Sequence, residues 1–215
     1  MGSGWIDLQR NHPQIVNMAL RAAELTVALD QAVRGGNGCL TLGQMSLLAF
    51  VFQYDLCNLN PDMKNLLLAA GSSPWDQLSM ICLFGLQIYS DVVLFPNAEF
   101  YGIRPRLARW LQAALTAHRL TEDSSTDLSY WEVILWATVM GAVAAEGTRH
   151  RHWYLFQLST IMVDRELSWE SLQDHLRRFL WWDYTFDERL SKIWEDARAV
   201  AITGNKGGGP VISDK

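Results

Sequence analysis

Apolar residues recur along this chain with the three-and-four spacing of an α-helix over most of its length. After the start signal Asn11-His12-Pro13, the positions Ile15, Met18, Ala19, Ala22, Leu25, Val27 and Leu29 predict one helix, which Gly35-Gly36-Asn37-Gly38 should stop. Thr41 is placed to cap a second helix that carries Leu48, Phe52 and Leu56 and ends near Asn58. Asn60-Pro61 and Ser73-Pro74 each join a cap to a proline at the first helical position. The first predicts a helix closing at Gly71, the second a long apolar helix from Trp75 to about Leu94, broken by Phe95-Pro96-Asn97. Residues Pro105 to Arg119 predict an amphipathic helix with Leu107, Trp110, Leu111, Ala114 and Leu115 inward. A polar loop over Thr121 to Thr126 precedes a central helix that Asp127 or Ser129 would cap and that runs to Glu146. Later helices are predicted from about Arg151 to Asp164, from Ser168 to Trp181 and from Asp183 to Ile202. Ser168 is the N-cap of the second of these, ahead of an acidic first turn.

No stretch alternates with the period of a strand. The expected fold is all-α, a single bundle of about eight to nine helices over residues 1–203. The Gly-rich segment 204–215 has little to bury and is expected to be a flexible tail.

Composition narrows the function classes. The chain has 215 residues and a net charge of −5, and its densest basic cluster is only Arg149-His150-Arg151-His152. Direct nucleic-acid binding needs a broader basic face and is not expected. Cys39, Cys57 and Cys82 lie far apart without a C-x-x-C pair, so they read as buried free thiols of an intracellular, cytoplasmic protein. The uncharged run Val133 to Ala145 has 13 residues, too few for a bilayer, and no membrane span is expected.

Between Tyr130 and Ala197 several features follow one another. They are Trp131 with Leu135-Trp136, the small-residue run Met140 to Ala145, Trp153-Tyr154 after a charged loop, Leu167-Ser168-Trp169-Glu170, Leu176 to Trp181, and Ile193-Trp194-Glu195. In order and spacing this segment resembles the C-terminal part of the regulatory domain of fungal zinc-cluster transcription factors. His12 to Val16 and the Leu83–Leu94 helix are weaker echoes of the same domain. The resemblance implies a helical regulatory core, and a nuclear location if the chain is a regulator. That family reaches DNA through six cysteines holding two zinc ions, and three scattered cysteines cannot build such a cluster. The helical domain is therefore expected to act without it, either as a truncated regulator or as a protein with a job of its own. Whatever the ancestry, Gly141, Ala142, Ala144 and Ala145 would let a neighbouring helix approach closely, and the tryptophans would fill a core.

No nucleophile elbow, phosphate-binding loop or zinc-protease helix occurs. His150-x-His152 offers two imidazoles, but Arg149 and Arg151 repel a cation, so no metal and no cofactor is expected. Two apolar helices instead carry an amide, a phenol and a carboxylate close together: Gln53-Tyr54-Asp55 and Gln87-Ile88-Tyr89-Ser90-Asp91. If they face a pocket, Asp55 or Asp91 is the candidate general acid or base, with Tyr54 and Tyr89 as catalytic partners and Gln53 and Gln87 orienting a substrate. Trp136, Trp181 and Trp182 are candidate walls for an apolar ligand, and Thr138 and Glu146 on the central helix are weaker polar candidates. The alternative for each group is structural: core packing, or buried hydrogen bonds that tie helices together.

Of two functions, the first is the leading expectation and the second the alternative. One is a cofactor-free biosynthetic enzyme of secondary metabolism, a cyclase, isomerase or pericyclase such as a Diels-Alderase, acting on an apolar small molecule. The other is a regulatory, ligand-sensing or protein-interaction module. A homodimer is compatible with either.

Overall fold

The computed structural model of the protein describes residues 9–10, 12–35, 40–59, 74–95, 102–121 and 130–206. Eight α-helices and no strand occur among the described residues, in agreement with the predicted all-α bundle. They are α1 (Pro13–Val33), α2 (Leu42–Asn58), α3 (Pro74–Tyr89), α4 (Ile103–Thr121), α5 (Trp131–Ala144), α6 (Arg151–Asp164), α7 (Trp169–Arg177) and α8 (Asp183–Lys206). The helix expected after Asn60-Pro61, the 122–126 loop segment and the tail beyond Lys206 lie outside the described residues.

Most boundaries follow from local chemistry. Pro13 opens α1 where its missing N–H is harmless, and Gly35 leaves it at φ 71°. Thr41 and Gln44 form a reciprocal capping box at the start of α2. Ser168 caps α7 by accepting from the Ser171 N–H at 3.1 Å. Several boundaries differ from expectation: α4 spans Ile103–Thr121 rather than Pro105 to Arg119, and α8 runs to Lys206, past Ile202 and into the segment expected as a tail. The N-cap of α5 is Tyr130, which makes no side-chain cap bond; the predicted caps Asp127 and Ser129 lie outside the described residues. That helix closes at Ala144, because Gly147 turns the chain at φ 72°. Helix α7 stops at Arg177, four residues before Trp181, and the Leu180 carbonyl beyond its end accepts the Trp136 indole N–H at 3.0 Å.

Two buried helices form the centre. Residues 132–133 and 135–145, along α5 and its C-terminal cap, are buried, as is α3 from Leu78 onward. Helix α3 packs against α1, α2, α4 and α5, while α5 also meets α4, α6, α7 and α8. Glycine makes the closest approaches: Gly85 on α3 lies under the Trp136 ring, and Gly141 on α5 lies under the Tyr154 ring of α6. The small-residue run is thus a helix-packing seam, as its composition predicts. The segment Gln77–Leu94 is long and apolar enough to cross a membrane by length and composition, but 89% of it is buried against other helices. Its last five residues, Ser90–Leu94, wind as a π-helical turn closed by a Phe95 N–H to Ser90 carbonyl bond at 3.0 Å.

The inward stripes need two corrections. On α2 the buried positions are Met45, Ala49, Phe52 and Leu56, and the expected Leu48 points outward. On α1 Val27 is exposed, while Thr26 is buried in its place. Both helices are apolar on more than one side, so spacing alone does not choose the face.

Candidate functional site

Of the polar residues singled out, Gln53, Tyr89 and Asp91 gather where α2, α3 and its π-helical turn meet α1 and α4. At the junction of α3 with its π-helical turn, Tyr89 and Ser90 are fully buried. Thr26 spends its only hydroxyl hydrogen on the Ala22 carbonyl at 2.7 Å, so the Tyr89 hydroxyl is the donor in the 2.7 Å Tyr89–Thr26 bond. Burial pushes the Tyr89 phenol above its ordinary range. Ser90 donates to Gln53 Oε1 at 2.6 Å, joining α3 to α2. The next residue, Asp91, accepts from Arg104 Nε in an ion pair whose side chains are only 8% and 14% exposed. Arg104 also donates to the Asp91 carbonyl, fastening the π-helical turn to α4.

The other candidates are placed differently. Asp55 pairs with Arg21 of α1 at 2.7 Å on a half-exposed surface. Tyr54 is 61% exposed and turned away from that pair's helix interior. Gln87 is buried, and its Oε1 has no hydrogen-bond partner among the described residues. Trp136 sits in the core, bonded to Leu180 and stacked on Phe179, and Thr138 donates back to the Ile134 carbonyl at 2.7 Å. Trp181 and Trp182 belong to the link between α7 and α8 rather than to a helix. Trp181 packs on Phe186 and donates to Asp187, whereas Trp182 donates to Asp30 of α1 at 3.0 Å. The structure thus brings Gln53, Tyr89 and Asp91 to one region but commits their polar atoms to neighbouring helices. Tyr54, Trp136 and the Trp181-Trp182 pair lie elsewhere.

Two of the clefts open elsewhere on the described residues, and of the candidates only Glu146, one of the weaker ones, lines either. The first, of roughly 280 Å³, lies between the start of α4 (Gly102 to Pro105), the end of α5 (Val143, Ala144 and Glu146) and Arg189 of α8. Among the described residues Arg189 has no carboxylate partner, while Glu146 is engaged by Lys192 at 3.5 Å. The second, of roughly 310 Å³, is an open groove between α6 and α8 lined by Phe156, Val163 and Val200 among others. No cluster of three or more potential metal ligands occurs among the described residues. His150 is occupied by Gln112 at 2.7 Å.

The most exposed apolar surface was not foreseen. Along α2, Leu47 is 63% exposed, Phe50 64% and Tyr54 61%, with Leu48 and Val51 partly open beside them. Cys57 continues this stripe and is exposed, which corrects the expectation of three buried thiols; Cys82 is buried and Cys39 lies outside the described residues. The signal for this face is present in the sequence. Helix α2 carries two apolar stripes, 45-49-52-56 and 47-50-51-54, and only one can face a core.

No family model, no curated protein and no solved structure matches the chain.

Proposed function

We propose that this chain is a helical protein-interaction module that docks through the outer face of α2. The observation that carries the reading is the stripe Leu47, Phe50, Val51 and Tyr54 standing in solvent on a helix whose opposite stripe is fully packed. Large apolar side chains left together on a surface mark contact sites, and aromatic residues at their centre supply most of the binding energy. The regulatory-domain resemblance points the same way, because such domains act through other proteins. What supports binding over catalysis is the state of four site candidates: Tyr89, Gln53, Asp55 and Asp91 each hold a neighbouring helix, while Tyr54 stands on the exposed stripe itself.

The test is recovery of partners with the purified full chain from native extract of its own cells. The double variant Phe50→Ser/Tyr54→Ser should lose at least about 30-fold in binding, the scale of two hot-spot residues. Equal recovery by variant and wild type overturns the reading.

A second reading follows from Arg189. A guanidinium without a carboxylate partner among the described residues, lining a cleft with Ile103, Pro105, Val143 and Ala144, suits an apolar small molecule bearing one carboxylate. A thermal-shift screen of aliphatic and aromatic carboxylates tests it. Stabilisation of the wild type that disappears in Arg189→Gln supports this site, and equal stabilisation of both removes it.

A further inference from the structure

We infer that the occupant of the α2 face is a second copy of this chain, paired about a two-fold axis beside Phe50 and Val51. The inference rests on the docking reading above and names its partner.

Three observations support self-pairing. The first is charge. A two-fold contact places each side chain opposite its own copy or a near neighbour, so a charge in the seam would meet its like. Helix α2 contains a single ionisable carboxylate, Asp55, and Arg21 of the same chain holds it at 2.7 Å. The rest of the stripe is neutral, although the whole chain carries −5. An uncharged strip lets two acidic molecules approach with the least repulsion.

The second is shape. Positions 47, 50, 51 and 54 recur at three-and-four spacing, which makes a ridge along the helix that fits the grooves of another helix of the same kind. Exposed Gln44, Ser46 and Asn58 give that ridge a polar border. The third is area. Leu47, Leu48, Phe50, Val51 and Tyr54 together leave on the order of 500 Å² open, the upper end for the largest patch on a monomer. Covering that patch on both copies buries roughly 1,000 Å², where specific interfaces begin. A contact of this size gives a concentration-dependent dimer.

Sedimentation velocity of the full chain between about 1 and 100 µM tests the inference. The expected result is a monomer–dimer equilibrium that Phe50→Glu weakens at least about 30-fold. Leu47→Glu should do the same, while Val163→Glu, an equally exposed site on α6, should leave the equilibrium unchanged. Far-UV circular dichroism confirms that each variant is folded. A monomer over the whole range, or a dimer indifferent to Phe50→Glu and Leu47→Glu, overturns self-pairing. Partner recovery from native extract then separates the two readings. If Phe50→Glu loses a partner that the monomeric wild type retains, self-pairing alone has failed. If it loses none, docking through α2 has failed with it.

Discussion

The six-membered ring of Trp136 lies directly on Gly85, so that a Cβ at position 85 would stand 2.5 Å from Cζ3 and 2.8 Å from Cη2. The ring cannot yield, since its indole N–H is held by the Leu180 carbonyl and its face is stacked on Phe179. Gly141 is in the same position under Tyr154, whose hydroxyl is anchored to the Ala108 carbonyl at 2.6 Å. Alanine would favour each helix by about 1 kcal/mol, but the overlap reverses the sign. Gly85→Ala and Gly141→Ala should each destabilise the fold by about 2 kcal/mol, read from urea unfolding. Gly43→Ala, at a site with nothing within 4 Å, should not destabilise it.

The Tyr89–Thr26 bond gives an asymmetric pair of substitutions. Tyr89→Phe removes the donor and leaves Thr26 bonded to Ala22, at a cost of about 1 kcal/mol. Thr26→Val strands a buried phenol hydroxyl and should cost about 2–3 kcal/mol. In the double variant the orphan disappears, so its loss should be smaller than the sum of the two. A double-mutant cycle by chemical denaturation measures the difference; strict additivity would mean that the bond couples nothing.

Arg104 should matter more than the surface arginines. Arg104→Ala takes the cation from a carboxylate only 8% exposed and is expected to cost about 3–5 kcal/mol in urea unfolding. Arg34→Ala, whose own side chain is largely in solvent, should change stability by less than about 1 kcal/mol.

Alkaline pH should unfold the protein through its buried acids. Burial pushes the Cys82 thiol from an ordinary 9.0 up to about 12. Between those values the unfolded chain has released the proton and the folded chain keeps it. Stability is therefore whole below pH 9 and falls as pH rises, by about 1.4 kcal/mol per pH unit for this group. Tyr89 and Tyr154 are raised by burial too and add the same sign above 10. Urea midpoints at pH 8, 9 and 10 should show a shallower decline for Cys82→Ala than for wild type. Identical slopes would place the alkaline loss elsewhere.

Much of the fold is legible in the residues one after another. Pro13, the Thr41–Gln44 box and Ser168 start helices because each satisfies or avoids free N–H groups locally, and such bonds need no distant partner. The same holds for the seam of Gly141 and its alanine neighbours, since small side chains in an apolar helix leave room for whatever packs there. The candidate site was less legible. Periodicity put Gln53, Tyr89 and Asp91 within apolar helices, yet whether they face a pocket or a hydroxyl on another helix depends on residues far away in the chain. Thr26 for Tyr89 and Arg104 for Asp91 are such partners.

By itself, then, the amino-acid sequence determined an all-α chain, most helix starts and the tight packing around α5. Tertiary structure alone decided which of the two apolar stripes of α2 would be buried. It also ended α7 early, in the stretch where the Leu180 carbonyl meets the Trp136 indole, and it engaged Tyr89 and Asp91 with residues of other helices. Helix formation is a contest among neighbours four residues apart, whereas burial is settled by what arrives from elsewhere to cover a face. On α2 that competition left Leu47, Phe50, Val51 and Tyr54 outside, and the proposed role of this protein lies in that outcome.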